Sequence, residues 1–213
     1  MIIAIDGPAG VGKSSISKII ADKLGFYYLN SGEFYRAITY KILKLNSKDE
    51  PIDTLISIAY SCDIKIINNR IHLDGEDVQN FLHTPVLDLE TSKISSIGKI
   101  RDFVNDLIYK ITDSLNIVAE GRDMTTVVFP NAEYKFYLDA EPEIRAKRRY
   151  AQNNLAGYAN DSMKTILNNL ILRDKNDKNK KDGALKIAED AVYIDTSYLT
   201  IDEVCEKVLS VIK

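Results

Sequence analysis

Gly7-Pro8-Ala9-Gly10-Val11-Gly12-Lys13-Ser14 stands directly behind the apolar run Met1 to Ile5. Two glycines separated by four residues, the second followed by lysine and a hydroxyl residue, make a phosphate-binding loop when a strand precedes them and a helix follows. The physical demand is narrow. Successive backbone N–H groups converge on phosphate oxygens only where no side chain intrudes. Lys13 adds a point charge toward the β- and γ-phosphates, and Ser14 offers a hydroxyl to Mg²⁺. The helix beginning at the loop contributes the positive end of its dipole. A chain with this opening is expected to handle a nucleoside triphosphate, and the loop confines it to an α/β architecture.

The context the loop needs is present. Ile2 to Asp6 reads as a buried parallel strand, because it is continuously apolar and not alternating. Lys13 to Leu24 follows as a helix, with Ile16, Ile19, Ile20 and Leu24 at three- and four-residue spacing and Gly25 as its stop. Phe26 to Leu29 is a second strand, and Ser31 is expected to cap a helix to about Leu45. Ile52 to Ser61 is another helix. From Asp63 to Gly75 apolar and polar residues alternate around Asn68-Asn69 and Asp74-Gly75, the texture of antiparallel strands. Thr84 to Ile97 and Lys99 to Leu115 are helical by period. Asn116 to Glu120, Glu133 to Asp139 and Val192 to Thr196 are three further core strands. Pro142 opens a basic helix to about Asn154, Ser162 to Asp174 forms another, and Ile201 to Ile212 is an amphipathic last helix. Strands alternating with helices predict a parallel sheet with right-handed crossovers.

Composition narrows the partners. A formal charge of −3 over 213 residues offers no general attraction to nucleic acid or an anionic membrane. The charge is unevenly spread: Arg145 to Asp182 holds ten Lys or Arg against four Asp. Such a stretch is a solvated helix face or a lid over an anionic ligand, and the phosphate loop favours the lid. Its polar end, Asp174 to Asp182, is expected to be mobile. Cys62 and Cys205 lack ligand-like spacing, which predicts two reduced cysteines in a cytoplasmic protein. The loop begins at the seventh residue, so no signal peptide is expected ahead of it, and no apolar run is long enough to cross a bilayer. A monomer is expected, with no nucleic-acid or membrane partner. His72 and His83 lie outside any ligand spacing and read as structural, and Tyr27 and Tyr28 read as packing around the second strand.

Three further clusters bear on what the triphosphate is used for. Asn30 to Arg36 lies where the second strand hands over to its helix, near the edge where open α/β sheets bind ligands. Glu120 to Pro130 ends the next core strand, and Leu172 to Lys180 forms the third cluster. Arginines at such strand ends suit a second phosphate, since guanidinium matches phosphate oxygens bidentately. Surface salt bridges to Glu33, Asp123 and Asp174 account for any single one of them equally well. No apolar run ending in paired Asp-Glu follows the loop.

Together these segments resemble the bacterial cytidylate kinases, and the resemblance runs nearly end to end. It covers Gly7 to Ser15, Asn30-Ser31-Gly32 with Tyr35-Arg36, Ser92-Lys93-Ile94-Ser95 with Arg101, Gly121-Arg122-Asp123 through Pro130, Arg173-Asp174 with Asp177, and Asp195-Thr196-Ser197. The Gly-Arg-Asp segment ending in Val-Val-Phe-Pro is particularly specific. The resemblance implies a three-layer P-loop NTPase fold with a five-stranded parallel sheet, a small β-containing monophosphate-binding insert and a helical lid. Within one kinase domain over 1–213, it implies a core of 1–61, 98–144 and 190–213, the insert at 62–97 and the lid at 145–189. It implies transfer of the γ-phosphoryl group of ATP to CMP or dCMP, with Mg²⁺.

By the same resemblance, Gly7, Pro8, Ala9, Gly10, Val11, Gly12, Lys13, Ser14 and Ser15 bind ATP, and Ser14 holds the metal. Arg36 and Arg122 hold the CMP phosphate. Ser92, Arg101 and Asp123 read the cytosine edge with Ser31 nearby, and Tyr35, Arg173 and Asp177 surround the ribose. Lys13, Arg122, Arg173 and Lys180 act in catalysis. Arg145, Arg148 and Arg149 lie on the helix leading into the lid, where one or two are expected at the triphosphate and at least one on a solvated face. Two departures stand out: Thr125 where the family usually has glycine, and Lys178 and Lys180 where lid arginines are usual. A kinase for UMP, AMP or an alcohol acceptor is the nearest alternative, and a nucleotide-dependent switch or RNA-binding module is one of another class.

Overall fold

The structure, a computed structural model, describes residues 1–155, 157 and 162–212. It divides into two compact units, Met1–Leu29 with Ser114–Lys213, and Asn30–Asp113.

Along the chain come β1 (Ile2–Asp6), α1 (Lys13–Leu24) and β2 (Tyr27–Asn30). Then follow α2 (Ser31–Lys44), α3 (Ile52–Tyr60), β3 (Ile64–Ile67), β4 (Arg70–Leu73), β5 (Glu76–Asp77), α4 (Pro85–Ile94) and α5 (Gly98–Thr112). The chain returns through β6 (Ile117–Gly121), a wide helical turn over Met124–Val128, β7 (Tyr134–Asp139), α6 (Pro142–Leu155), α7 (Met163–Lys178), β8 (Val192–Asp195) and α8 (Ile201–Val211).

The first unit carries the five-stranded parallel sheet, in the order β2-β6-β1-β7-β8. Central β1 pairs in parallel with β6, Asp6 opposite Gly121, and with β7, Asp6 opposite Tyr137. Ile3, Ile5, Val118, Phe136, Leu138 and Ile194 of the strands form one buried cluster with Ile16, Ile20 and Ala21 of α1 and Val204, Cys205 and Val208 of α8. Burying that apolar surface is what holds the sheet centre, at roughly 25 cal/mol per Å² removed from water. A smaller cluster joins Ala9 of the loop to Ala146 of α6 and Ile166 and Leu170 of α7.

The second unit buries Phe34, Ile38 and Ile42 of α2, Ile71 and Leu73 of β4, and Ile100, Val104 and Ile108 of α5. Its antiparallel sheet has the order β3-β4-β5, as the alternation over 63–75 predicts. The Asn68-Asn69 turn needs positive φ at both residues, a conformation asparagine tolerates.

Two expectations are corrected. Asn30, not Ser31, caps α2: its side chain accepts from the Gly32 N–H, and Ser31 is already helical. Both residue types cap well, so composition alone does not choose between neighbours. The helix expected to end at Asp174 runs on to Lys178 as α7, with Asp174 and Asp177 buried. Among the described residues no helix is long and apolar enough to cross a membrane.

Candidate active site

The loop leaves β1 at Gly7, whose φ is +153°, and a Cβ there would lie 2.1 Å from the Leu138 carbonyl oxygen of β7. Only glycine fits so close to a backbone oxygen. Gly12 (φ 97°) stands at the N-cap of α1, and no acidic residue occupies the first turn. The first N–H groups of α1 therefore meet neither a capping side chain nor a carboxylate there, the arrangement that receives an anion.

Lys13 is buried and its Nζ donates to the Gly7 and Pro8 carbonyls, both at 2.8 Å. Burial first, and the neighbouring Arg122 second, lower its pKa to about 7, against the attraction of Glu120 and Asp6. An ammonium this starved of water is poised to take phosphate oxygens as partners.

Next to it, Glu120 at the end of β6 accepts from two hydroxyls through the same oxygen, Ser14 Oγ and Tyr28 OH, the latter at 3.1 Å. Glu120 is buried. A serine hydroxyl backed by a carboxylate is a hard-oxygen donor set that suits a divalent cation arriving with a triphosphate.

Asp177 of α7 gathers three of the cations named from the sequence. Lys180 Nζ stands 2.9 Å from its Oδ1, Arg122 Nε donates to Oδ2 at 2.9 Å, and Arg173 Nε stands 4.0 Å from Oδ2. Burial alone would raise this carboxyl, but Arg122, Lys180 and Arg173 prevail and hold it well below the usual carboxylate range. Arg145 of α6 is also buried. It donates to the Ala9 and Ala140 carbonyls and meets Asp174 at 2.6 Å. Arg148 instead donates to Thr196, and Arg149 to Gln152.

Asp6, fully buried, accepts from Met124 N, Thr125 N and Thr125 Oγ1. Desolvation raises its pKa to about 6, opposed by those three bonds. Asp123 is buried at the start of the same turn, its carbonyl accepting from Val127 and Val128 N–H.

The second unit holds the remaining residues named from the sequence. Arg36 donates to the Leu82 carbonyl and to Asp88. Arg101 donates to the Ser95 carbonyl, and its guanidinium lies over the Tyr35 ring, 5.5 Å from the centroid. Ser31 is buried at the start of α2 and Ser92 is half-buried on α4. The salt-bridge partners thus differ from those nearest in sequence: Arg36 takes Asp88, not Glu33, and Arg122 takes Asp177, not Asp123.

A family model described as cytidylate kinase matches residues 3–213. The chain belongs to the cytidylate kinase family. It is 44% identical over 214 residues to the cytidylate kinase of Thermodesulfovibrio yellowstonii, covering 98% of this chain and 96% of that protein. It is 40% identical over 211 residues to that of Clostridium botulinum strain Loch Maree, covering 99% and 97%. Among solved structures, the crystal structure of an uncharacterized protein from Eubacterium ventriosum matches with a TM-score of 0.54 at 12% identity, over 100% of this chain and 98% of that one. That likeness speaks to the fold only.

Sequence reasoning misses Glu120, while Tyr28 packs against the sheet core as expected. The signal for Glu120 is the apolar run Ile117-Val118-Ala119 ending in a single acid, and not in a paired Asp-Glu. What the sequence does not announce is that the Tyr28 hydroxyl also reaches Glu120.

Proposed function

We propose that this chain transfers the γ-phosphoryl group of ATP to CMP or dCMP, giving CDP or dCDP and ADP. The observation that carries the mechanism is the set of cations beside the phosphate loop: Arg122, Arg173 and Lys180 collected on Asp177, with Lys13 in the field of Arg122 and Arg173. Phosphoryl transfer needs little else from a protein than alignment and neutralisation of charge spread over the transferring oxygens.

Gly7 to Ser15 cradle the donor phosphates, and Lys13 exchanges its loop carbonyls for β- and γ-oxygens. Ser14, with Glu120 behind it, would hold Mg²⁺, which neutralises phosphate charge when bound. Arg122 grips the acceptor phosphate, as does Arg36 of the second unit, while Arg173 and Lys180 face the transferring group. Cations acting so are worth about 10³ or more in rate in phosphate-loop enzymes. The acceptor needs no general base, because a phosphate monoester with a second pKa of about 6 is already mostly dianionic at neutral pH.

Ser31, Ser92, Arg101 and Asp123 read the cytosine, and Tyr35, Arg173 and Asp177 attend the ribose. An acidic acceptor beside a cationic donor distinguishes an exocyclic amine from the carbonyl of uracil. Functionally the chain is one kinase domain, with residues 62–97 as acceptor-side insert and 145–189 as the lid that excludes water. It works as a cytoplasmic monomer.

The test is product identity. Protein incubated with ATP, Mg²⁺ and CMP is expected to form CDP and ADP in equal amounts by chromatography, and Lys13→Ala to form almost none while keeping its melting transition. ADP formed without CDP would contradict the reading.

A further inference from the structure

The two residues Arg122 and Asp123 are pinned on both sides by residue 6. On one side the backbone register sets Asp6 opposite Gly121, the last residue of β6. On the other, the Asp6 carboxylate reaches past them: Oδ1 accepts from Met124 N at 2.9 Å, and Oδ2 accepts from Thr125 N at 2.8 Å and Thr125 Oγ1 at 2.6 Å. Asp6 is fully buried and Thr125 nearly so, at 1% exposure. Little water competes for these bonds, so an unmade one is expensive. The hydroxyl supplies the third of the bonds that the Asp6 carboxylate accepts from this turn. Thr125 does not have positive φ, so the turn asks nothing of the residue that only glycine can give.

We infer that Thr125 is a specificity-positioning residue: its hydroxyl, donated to Asp6, fixes the turn that holds Asp123 at the angle needed to read the acceptor base. This rests on the CMP reading above. The two backbone donors of the turn, Met124 N and Thr125 N, remain on Asp6 when the hydroxyl is removed, so the turn stays attached and loses only the bond that sets its angle. The consequence falls on Asp123 and on base choice, not on ATP.

The experiment uses Thr125→Val, equal in shape but without the hydroxyl, and Thr125→Ser, which keeps it. Steady-state kinetics are run with CMP and with UMP at fixed ATP and Mg²⁺, alongside melting curves. Thr125→Val is expected to lower the CMP-over-UMP ratio of kcat/KM about tenfold, the size of one lost buried bond to a charge. The change should appear in KM for CMP, with KM for ATP within about twofold. Thr125→Ser should keep the wild-type ratio even if it melts lower. If Thr125→Val does not fold, Thr125→Ala carries the same comparison. An unchanged ratio in the hydroxyl-less variant, or equal loss in the serine variant, would overturn the inference while leaving the CMP reading standing. Wild-type protein that turns over no CMP would instead overturn the CMP reading and this inference with it.

Discussion

Arg145 meets Asp174 at 2.6 Å, both side chains buried, while the same guanidinium donates to the carbonyl of Ala9 in the phosphate loop. One side chain on α6 thereby ties α7 to the loop, and a Cβ at Gly10 would sit 3.3 Å from Arg145 Cβ. Removing one member of a buried pair leaves the other charge unpaired, which costs about 3 to 5 kcal/mol. Arg145→Met is expected to destabilise the protein by that amount in urea unfolding, and Arg145→Lys nearly as much, since lysine has no fork to span three oxygens. A loss below about 1 kcal/mol, the worth of an exposed pair, would mean the bolt is not there.

Lys13 provides a pH signature. Its pKa of about 7, set by burial and Arg122, leaves part of the population neutral near pH 8. Phosphate oxygens restore the charged form, so ATP binding at pH 8 should take up protons, read by calorimetry in two buffers of different ionisation enthalpy. Lys13→Met should abolish the uptake. The folded protein also binds fewer protons here than the unfolded chain between about pH 7 and 10.4, so this group makes stability rise with pH across that window. Buffer-independent binding heats in the wild type would contradict the assignment.

Asp6 and Asp177 act on acid stability with opposite signs. Asp6, raised to about 6, favours the folded state most below the unfolded value of roughly 3.9, an advantage lost as pH climbs through 6. Asp177, held low by its three cations, stabilises above roughly pH 4 and ceases to as pH falls further. The stability difference between wild type and Asp6→Asn should therefore be larger at pH 4.5 than at pH 7.5, by about 2 kcal/mol. A difference that stays flat or grows with pH would show that Asp6 is not ionising against burial.

Base discrimination is expected to rest on Asp123 and Arg101. Asp123→Asn and Arg101→Met should each lower the CMP-over-UMP ratio by about ten- to a hundredfold, one to two lost buried bonds, with a smaller effect on ATP. Competitive binding of CMP and UMP to each variant checks it. A ratio that either substitution leaves unchanged would remove that residue from the reading set.

What the sequence could say follows the range of the interactions. The phosphate loop, α1 and all five core strands are written in local pattern, and their bounds lie within about a residue of the period-based ones. The end of α7 is different. Asp174 to Asp182 looks like a solvated charge run because its partners, Arg145 and Arg122, lie 29 and 55 positions from Asp174 and Asp177. Paired to them, the two acids sit three apart on one face of α7 and turn inward. Glu120, Tyr28 and Ser14 likewise come from three separate segments and meet only once β2 and β6 are neighbours. Thr125 likewise becomes legible only when Asp6, 119 positions away, is seen receiving its hydroxyl.

Acceptor choice tests the central claim most directly. With saturating ATP and Mg²⁺, an ADP-coupled assay is run side by side on CMP, dCMP, UMP and AMP. The account predicts the highest kcat/KM for CMP and dCMP, at least about tenfold above UMP, the margin of one buried polar contact, with AMP slowest. A preference for AMP, or equal use of all four, would contradict it.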